Sequence, residues 1–143
     1  MSTSTNQTNA PFVIGIACER SVDFEGKLDE NGHLLDNPSV KIIKVPCSGQ
    51  IQPIMLETAL KKGASGTFAL GCRMGDCHYR DGNRFCRDRL IGQRMPKLKP
   101  SVDKKRVQGY WLSAVEYDKL RALVSEFVDQ CAQLPAPAPA ATK

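Results

Sequence analysis

Cysteine carries most of the chemistry this 143-residue chain has to offer. Two of its six cysteines, Cys72 and Cys77, lie within the segment Gly71-Cys72-Arg73-Met74-Gly75-Asp76-Cys77-His78-Tyr79-Arg80. Gly75 between them permits a loop that turns both sulfurs toward one point. Two others, Cys18 and Cys47, stand just past the ends of strand-like runs. Four thiolates around one point suit tetrahedral zinc or an iron–sulfur cluster, because soft sulfur ligands select these over magnesium or calcium. Structural zinc sites usually draw on two close pairs. Here there is one, with Cys18 and Cys47 single and distant. C-x4-C spacing also occurs in plant-type ferredoxins, so the pattern favours a cluster over zinc and leaves [2Fe–2S] and [4Fe–4S] both open.

Backbone N–H groups near Ser48-Gly49 and Gly75 can approach the sulfurs closely, and Arg73 and Arg80 are candidates to raise a cluster's potential. Ordinary surface arginines are the competing reading. Cys131 falls on the apolar stripe of a helix and reads as a small core residue. Cys86 lies among arginines, which lower a thiol's pKa, yet buried packing is the expectation. His78 reads as a hydrogen-bonded partner of Asp76 or Asp81 rather than a ligand. No G-x-G-x-x-G, Walker A or G-x-S-x-G sequence occurs, so nucleotide binding and a serine nucleophile lack support. A thiol–disulfide oxidoreductase ranks last, since C-x4-C is not the C-x-x-C that such chemistry favours.

The elements that must position the thiols follow from hydrophobic pattern. Phe12–Ala17 is a continuous apolar run of strand length, as expected of a strand buried on both faces. Lys41–Val45 is a second strand, closed by Pro46, and Thr67–Leu70 a third. Val107–Leu112 reads as a fourth. The segment Glu19–Asn37 has turn signals and room for a short helix. A helix opening near Pro53 carries Ile54, Met55, Ala59 and Leu60 as its apolar stripe and stops at Gly63. Another helix spans about 83–93. Ser113 with Glu116 matches a capping box, and Leu120, Leu123, Val124, Phe127, Val128, Cys131 and Leu134 keep the helical period beyond it. Strands alternating with helices predict a single α/β domain: about four mainly parallel strands with flanking helices, in a three-layer flavodoxin- or Rossmann-like arrangement. Ligands of such sheets gather beyond the carboxyl ends of the strands, where Cys18, Cys47 and Cys72 all fall, so a cluster is expected at that edge.

Composition sets the limits. The length fits one domain, with a polar segment 1–10 expected to be disordered, an ordered domain 11–134, and an Ala/Pro-rich flexible tail 135–143. A net charge of +5 is mild, and few aromatic residues interleave with the basic ones, which disfavours nucleic acid. No apolar run is long enough to span a membrane, and no basic segment precedes the first one as in a signal peptide. A cytoplasmic protein with reduced thiols is the expectation.

Several stretches together resemble one family. They are Cys18-Glu19-Arg20-Ser21, Val45-Pro46-Cys47-Ser48-Gly49, Gly71-Cys72, Gly75-Asp76-Cys77-His78-Tyr79-Arg80-Asp81-Gly82-Asn83 and Trp111-Leu112-Ser113-Ala114. The resemblance, over about residues 12–130, is to the delta subunit of methyl-viologen-reducing (F420-non-reducing) hydrogenases. It implies a [2Fe–2S] cluster on Cys18, Cys47, Cys72 and Cys77. It also implies single-electron relay between a hydrogenase, formate dehydrogenase or similar oxidoreductase and a flavin-containing heterodisulfide-reductase-like subunit, within a larger hetero-oligomer. Some members have a C-C-x-x-C arrangement at the first site. This chain has Ala17 and Ser21 there, leaving Cys18 alone. A structural or regulatory zinc module with four cysteine ligands is the alternative.

Overall fold

Four strands form one sheet. They are β1 (Val13–Cys18), β2 (Val40–Val45), β3 (Gly66–Gly71) and β4 (Val107–Trp111), in the order β2-β1-β3-β4 with every neighbour parallel. Three helices accompany them: α1 (Pro53–Lys61), α2 (Gly82–Leu90) and α3 (Tyr117–Ala132). These come from a computed structural model, which describes residues 12–19, 21–72, 82–91, 93, 95, 104–113 and 115–134. The terminal segments expected outside the domain lie beyond the described residues.

Two cores sit on opposite faces of the sheet, because alternate side chains of a strand point to opposite sides. Val13, Ala17, Val40, Ile42, Phe68 and Leu70 share one core with the α3 residues Leu120, Val124, Phe127, Val128 and Cys131. Ile16 and Ala69 share the other with Ile51, with Leu56 of α1 and with Cys86 of α2. The parallel α/β sheet with flanking helices is therefore the architecture observed. Central strand β3 is buried along its whole length, and its one polar side chain, Thr67, donates to the Ile14 carbonyl at 2.8 Å.

Three local expectations are corrected. The first crossover contains no helix among its described residues. Gly26 and Gly32 take positive φ (75° and 90°), and Asp29 Oδ1 accepts the N–H groups of Asn31 and His33 at 2.8 and 3.0 Å. That is turn chemistry, and it competes with helix. The segment instead buries Val22, Phe24 and Leu34 against the α3 face and bridges His33 to Lys41 along the outer edge of β2. Second, the buried face of α1 is Pro53, Leu56, Glu57 and Ala59, whereas Ile54 and Met55 are 52% and 38% exposed. The stripe expected from sequence is about one residue out of phase. Third, α3 begins at Tyr117 with Glu116 as N-cap, so Ser113 is not the cap. Half of the predicted box survives: the Glu116 carboxylate accepts the Ser113 N–H at 2.8 Å.

The crossover is tied to α3 by Tyr117, whose hydroxyl donates to Asp36 Oδ2 at 2.9 Å. Burial, with the Asp36 carboxylate beside it, pushes the phenol up to about 12. A raised folded-state value favours the protonated form. The stabilisation is thus present below the ordinary phenol value and is lost as pH rises through about 12. Tyr117→Phe is expected to cost about 1 kcal/mol at neutral pH and to flatten the alkaline loss of stability between about pH 10 and 12. Urea melts across that range read both.

Candidate metal centre

Strand register brings the three predicted strand-end cysteines to one edge. Cys18 is the last residue of β1 and pairs with Val45 of β2, while Ala17 pairs with Leu70 of β3. Cys72 therefore follows β3 one step beyond the level of Cys18, and Cys47 follows β2 two steps beyond it. The chain leaves β1 for β2 on one side and returns for β3 on the other. The crevice between β1 and β3 is thus the topological switch point, where parallel sheets collect ligands.

Cys18 and Cys72 meet there. Their sulfurs are 3.8 Å apart, and the residues are 2% and 3% exposed. A disulfide would need about 2.05 Å. Two thiolates on one tetrahedral metal with bonds of about 2.3 Å lie about 3.8 Å apart. At that distance the two thiols are not covalently linked; they lie in hydrogen-bonding contact, a separation that two ligands of one metal would also have. It fits a sulfur-ligated centre.

Cys47, also buried, occupies the neighbouring loop. The Cys18 thiol faces the Pro46 carbonyl at 3.7 Å, and the Gly49 N–H donates to Cys47 Sγ at 3.3 Å. This is the backbone-to-sulfur contact expected near Ser48-Gly49. Glycine is required on both sides of the sulfur. A Cβ on Gly82 would collide with Cys47 Sγ, and one on Gly49 would stand 2.8 Å from the Gly82 Cα. Cys77, His78, Arg73, Arg80, Gly75 and Asp76 lie outside the described residues. Among the described residues no three of His, Cys, Asp and Glu converge in the manner of a metal site.

The other two cysteines are core residues, as their sequence context indicated. Cys131 is 3% exposed, and a Cβ on Gly66 would stand 2.5 Å from its sulfur. Cys86 is 1% exposed, and burial pushes its thiol up to about 12 against the opposing pull of Arg89. Nearby arginine therefore does not make it reactive. Asn83 is a site residue that sequence reasoning does not find. It is 1% exposed, and its Nδ2 donates to the Cys72 carbonyl at 2.9 Å, so the start of α2 fixes the end of β3. Ser21 does the same for β1, its Oγ donating to the Cys18 carbonyl at 2.6 Å. Ser21, three residues after Cys18, is near enough in sequence to be a signal; Asn83, 11 residues after Cys72, is not.

A family model described as methyl-viologen-reducing hydrogenase, delta subunit, matches residues 13–135. The chain belongs to that family. Among delta-subunit relatives, an F420-non-reducing hydrogenase iron-sulfur subunit of Archaeoglobus profundus is 33% identical over 123 residues, covering 82% of this chain and 85% of its own. The vhc iron-sulfur subunit of the F420-non-reducing hydrogenase of Methanococcus voltae is 32% identical over 120 residues, covering 84% and 83%. One subunit of the ferredoxin:CoB-CoM heterodisulfide reductase of Methanosarcina mazei is 28% identical over 131 residues. These make up 92% of this chain but only 16% of that protein. The delta-subunit domain thus occurs both as a separate chain and as a small part of a much longer one. Among the described residues of this member, no helix is long and apolar enough to cross a membrane.

Proposed function

We propose that this delta-subunit family member is an electron-transfer subunit whose Cys18, Cys47, Cys72 and Cys77 hold a [2Fe–2S] cluster at the carboxyl edge of the sheet. It would relay single electrons between a hydrogenase, formate dehydrogenase or similar module and a flavin-containing heterodisulfide-reductase-like subunit. The observation that carries the reading is the 3.8 Å separation of the Cys18 and Cys72 sulfurs at the switch point. The names of the relatives support it: iron–sulfur subunits of hydrogenases, and a heterodisulfide reductase subunit that contains the same domain.

When bound, such a cluster supplies a centre that accepts and returns one electron. The chain's own residues provide the rest. Cys18 and Cys72 offer a pre-spaced pair of thiols, so coordination requires little rearrangement. The Gly49 N–H at Cys47 favours negative charge on sulfur, which raises the potential of an anionic centre. Ile16, Ile51, Ala69 and Cys86 form an apolar core on the α2 side of the sheet. Thiolate ligation of this kind suits a reducing compartment, which favours the cytoplasm as the location.

Anaerobic reconstitution with iron and sulfide tests the reading. The expected product is brown, bleaches with dithionite, and gives an electron paramagnetic resonance signal when reduced. Stoichiometric zinc with no redox-active colour would instead establish the four-cysteine zinc module, which the same sulfur spacing accommodates.

A further inference from the structure

Of the three proposed ligands that are described, Cys47 has the least support from the sheet. Cys18 ends a central strand, and Cys72 directly follows another, with its own carbonyl held by Asn83. Cys47 instead stands two residues past the end of the outer strand β2, after Pro46, and leads into a single 3-10 turn, Ser48–Gln50. Within that turn the Gln50 N–H donates to the Cys47 carbonyl at 2.9 Å and the Gly49 N–H to its sulfur at 3.3 Å. One turn does not hold a fixed position by itself; something must anchor it.

The anchor comes from far along the chain, in α2. Arg89 Nη1 donates to the Gly49 carbonyl at 2.8 Å and to the Ile51 carbonyl at 3.2 Å. Its Nε is buried with no hydrogen-bond partner among the described residues, so the side chain gives up hydration to make this reach. At the other end of α2, Gly82 presses its backbone on Gly49 and on the Cys47 sulfur. Helix α2 therefore grips the turn at two places, and Arg89 supplies the polar one. Both hydrogen bonds leave the same nitrogen, so a lysine ammonium reaching that point could make part of the contact.

We infer that Arg89 is a positioning residue, holding the Ser48–Gln50 turn so that the Gly49 N–H stays aimed at the Cys47 sulfur and sets the electron affinity of whatever that sulfur ligates. The effect on electron affinity rests on the iron–sulfur reading, whereas the positioning does not.

The test starts with the metal-free chain. In Arg89→Met, hydrogen exchange of the Gly49 amide is expected to accelerate about tenfold or more, as loss of a charge-assisted hydrogen bond implies. Alkylation of Cys47 by iodoacetamide, located by mass spectrometry, should accelerate with it. Ala69 amide protection in β3 should stay unchanged. Arg89→Lys should recover part of both effects, and Arg87→Met, whose guanidinium reaches Asp88, should match the parent chain. In reconstituted protein, Arg89→Met should lower the midpoint potential and Arg89→Lys should return it part of the way. Gly49 exchange and Cys47 alkylation at the parent rates in Arg89→Met would overturn the inference, as would equal loss of protection at Ala69. Parent protein that takes up no iron defeats the cluster reading instead, and the metal-free measurements still decide the role of Arg89.

Discussion

Cys72→Ser, and separately Cys18→Ser, is expected to leave the protein colourless after anaerobic reconstitution, with most of the bound iron and sulfide lost. Each change keeps the side chain's size and replaces a soft thiolate by a hard, weakly acidic hydroxyl that binds iron poorly. The two sulfurs are 3.8 Å apart, so on the proposed iron–sulfur reading removing either leaves the other without its neighbouring ligand. Cys131→Ala serves as the control. Its sulfur lies in the α3 core, and the expected result is a somewhat less stable protein with full iron content. Iron and sulfide analysis with visible absorption spectra reads all three. Parent-level iron in Cys72→Ser would remove that residue from the ligand set.

The second large effect is on stability. Gly15 lies in the middle of β1, and a Cβ built on it would collide with the outer end of the Phe68 ring on the adjacent strand β3. Phe68 is fully buried, with Tyr110 against it at a ring separation of 5.4 Å, so the ring has little room to withdraw. Gly15→Ala is therefore expected to destabilise the domain by about 3 kcal/mol, at the upper end for overpacking. Phe68→Leu alone should also destabilise, because it leaves a void. Combined with Gly15→Ala it should cost clearly less than the sum, since the smaller side chain makes space for the new methyl. Chemical denaturation of the four proteins gives that coupling energy. Strict additivity would show that the Gly15–Phe68 contact is not the reason for glycine at this position.

Periodicity makes some elements readable and misleads on others. The α3 stripe from Leu120 to Cys131 is legible because sixteen residues give the helical period several repeats. Helix α1 has nine residues, too few to fix the phase, and its inward face contains Glu57, a residue type that ordinarily signals exposure. The first crossover is unreadable for another reason. Val22, Phe24 and Leu34 follow no period because turns set by Gly26, Asp29 and Gly32, not a helix, carry them to the core.

Residue type and local order along the chain suffice for the alternation of strand and helix, the parallel sheet it implies, the family, and the cysteines that stand at strand ends. Only in the folded chain do Cys18 and Cys72 meet across the β1–β3 crevice, Asn83 and Ser21 hold the carbonyls of those two cysteines, and Arg89 reach back to the turn after Cys47. These contacts, apart from the short-range one at Ser21, join residues from 11 to 54 positions apart. Strand register and helix docking set such distances, and no local pattern of side chains records them.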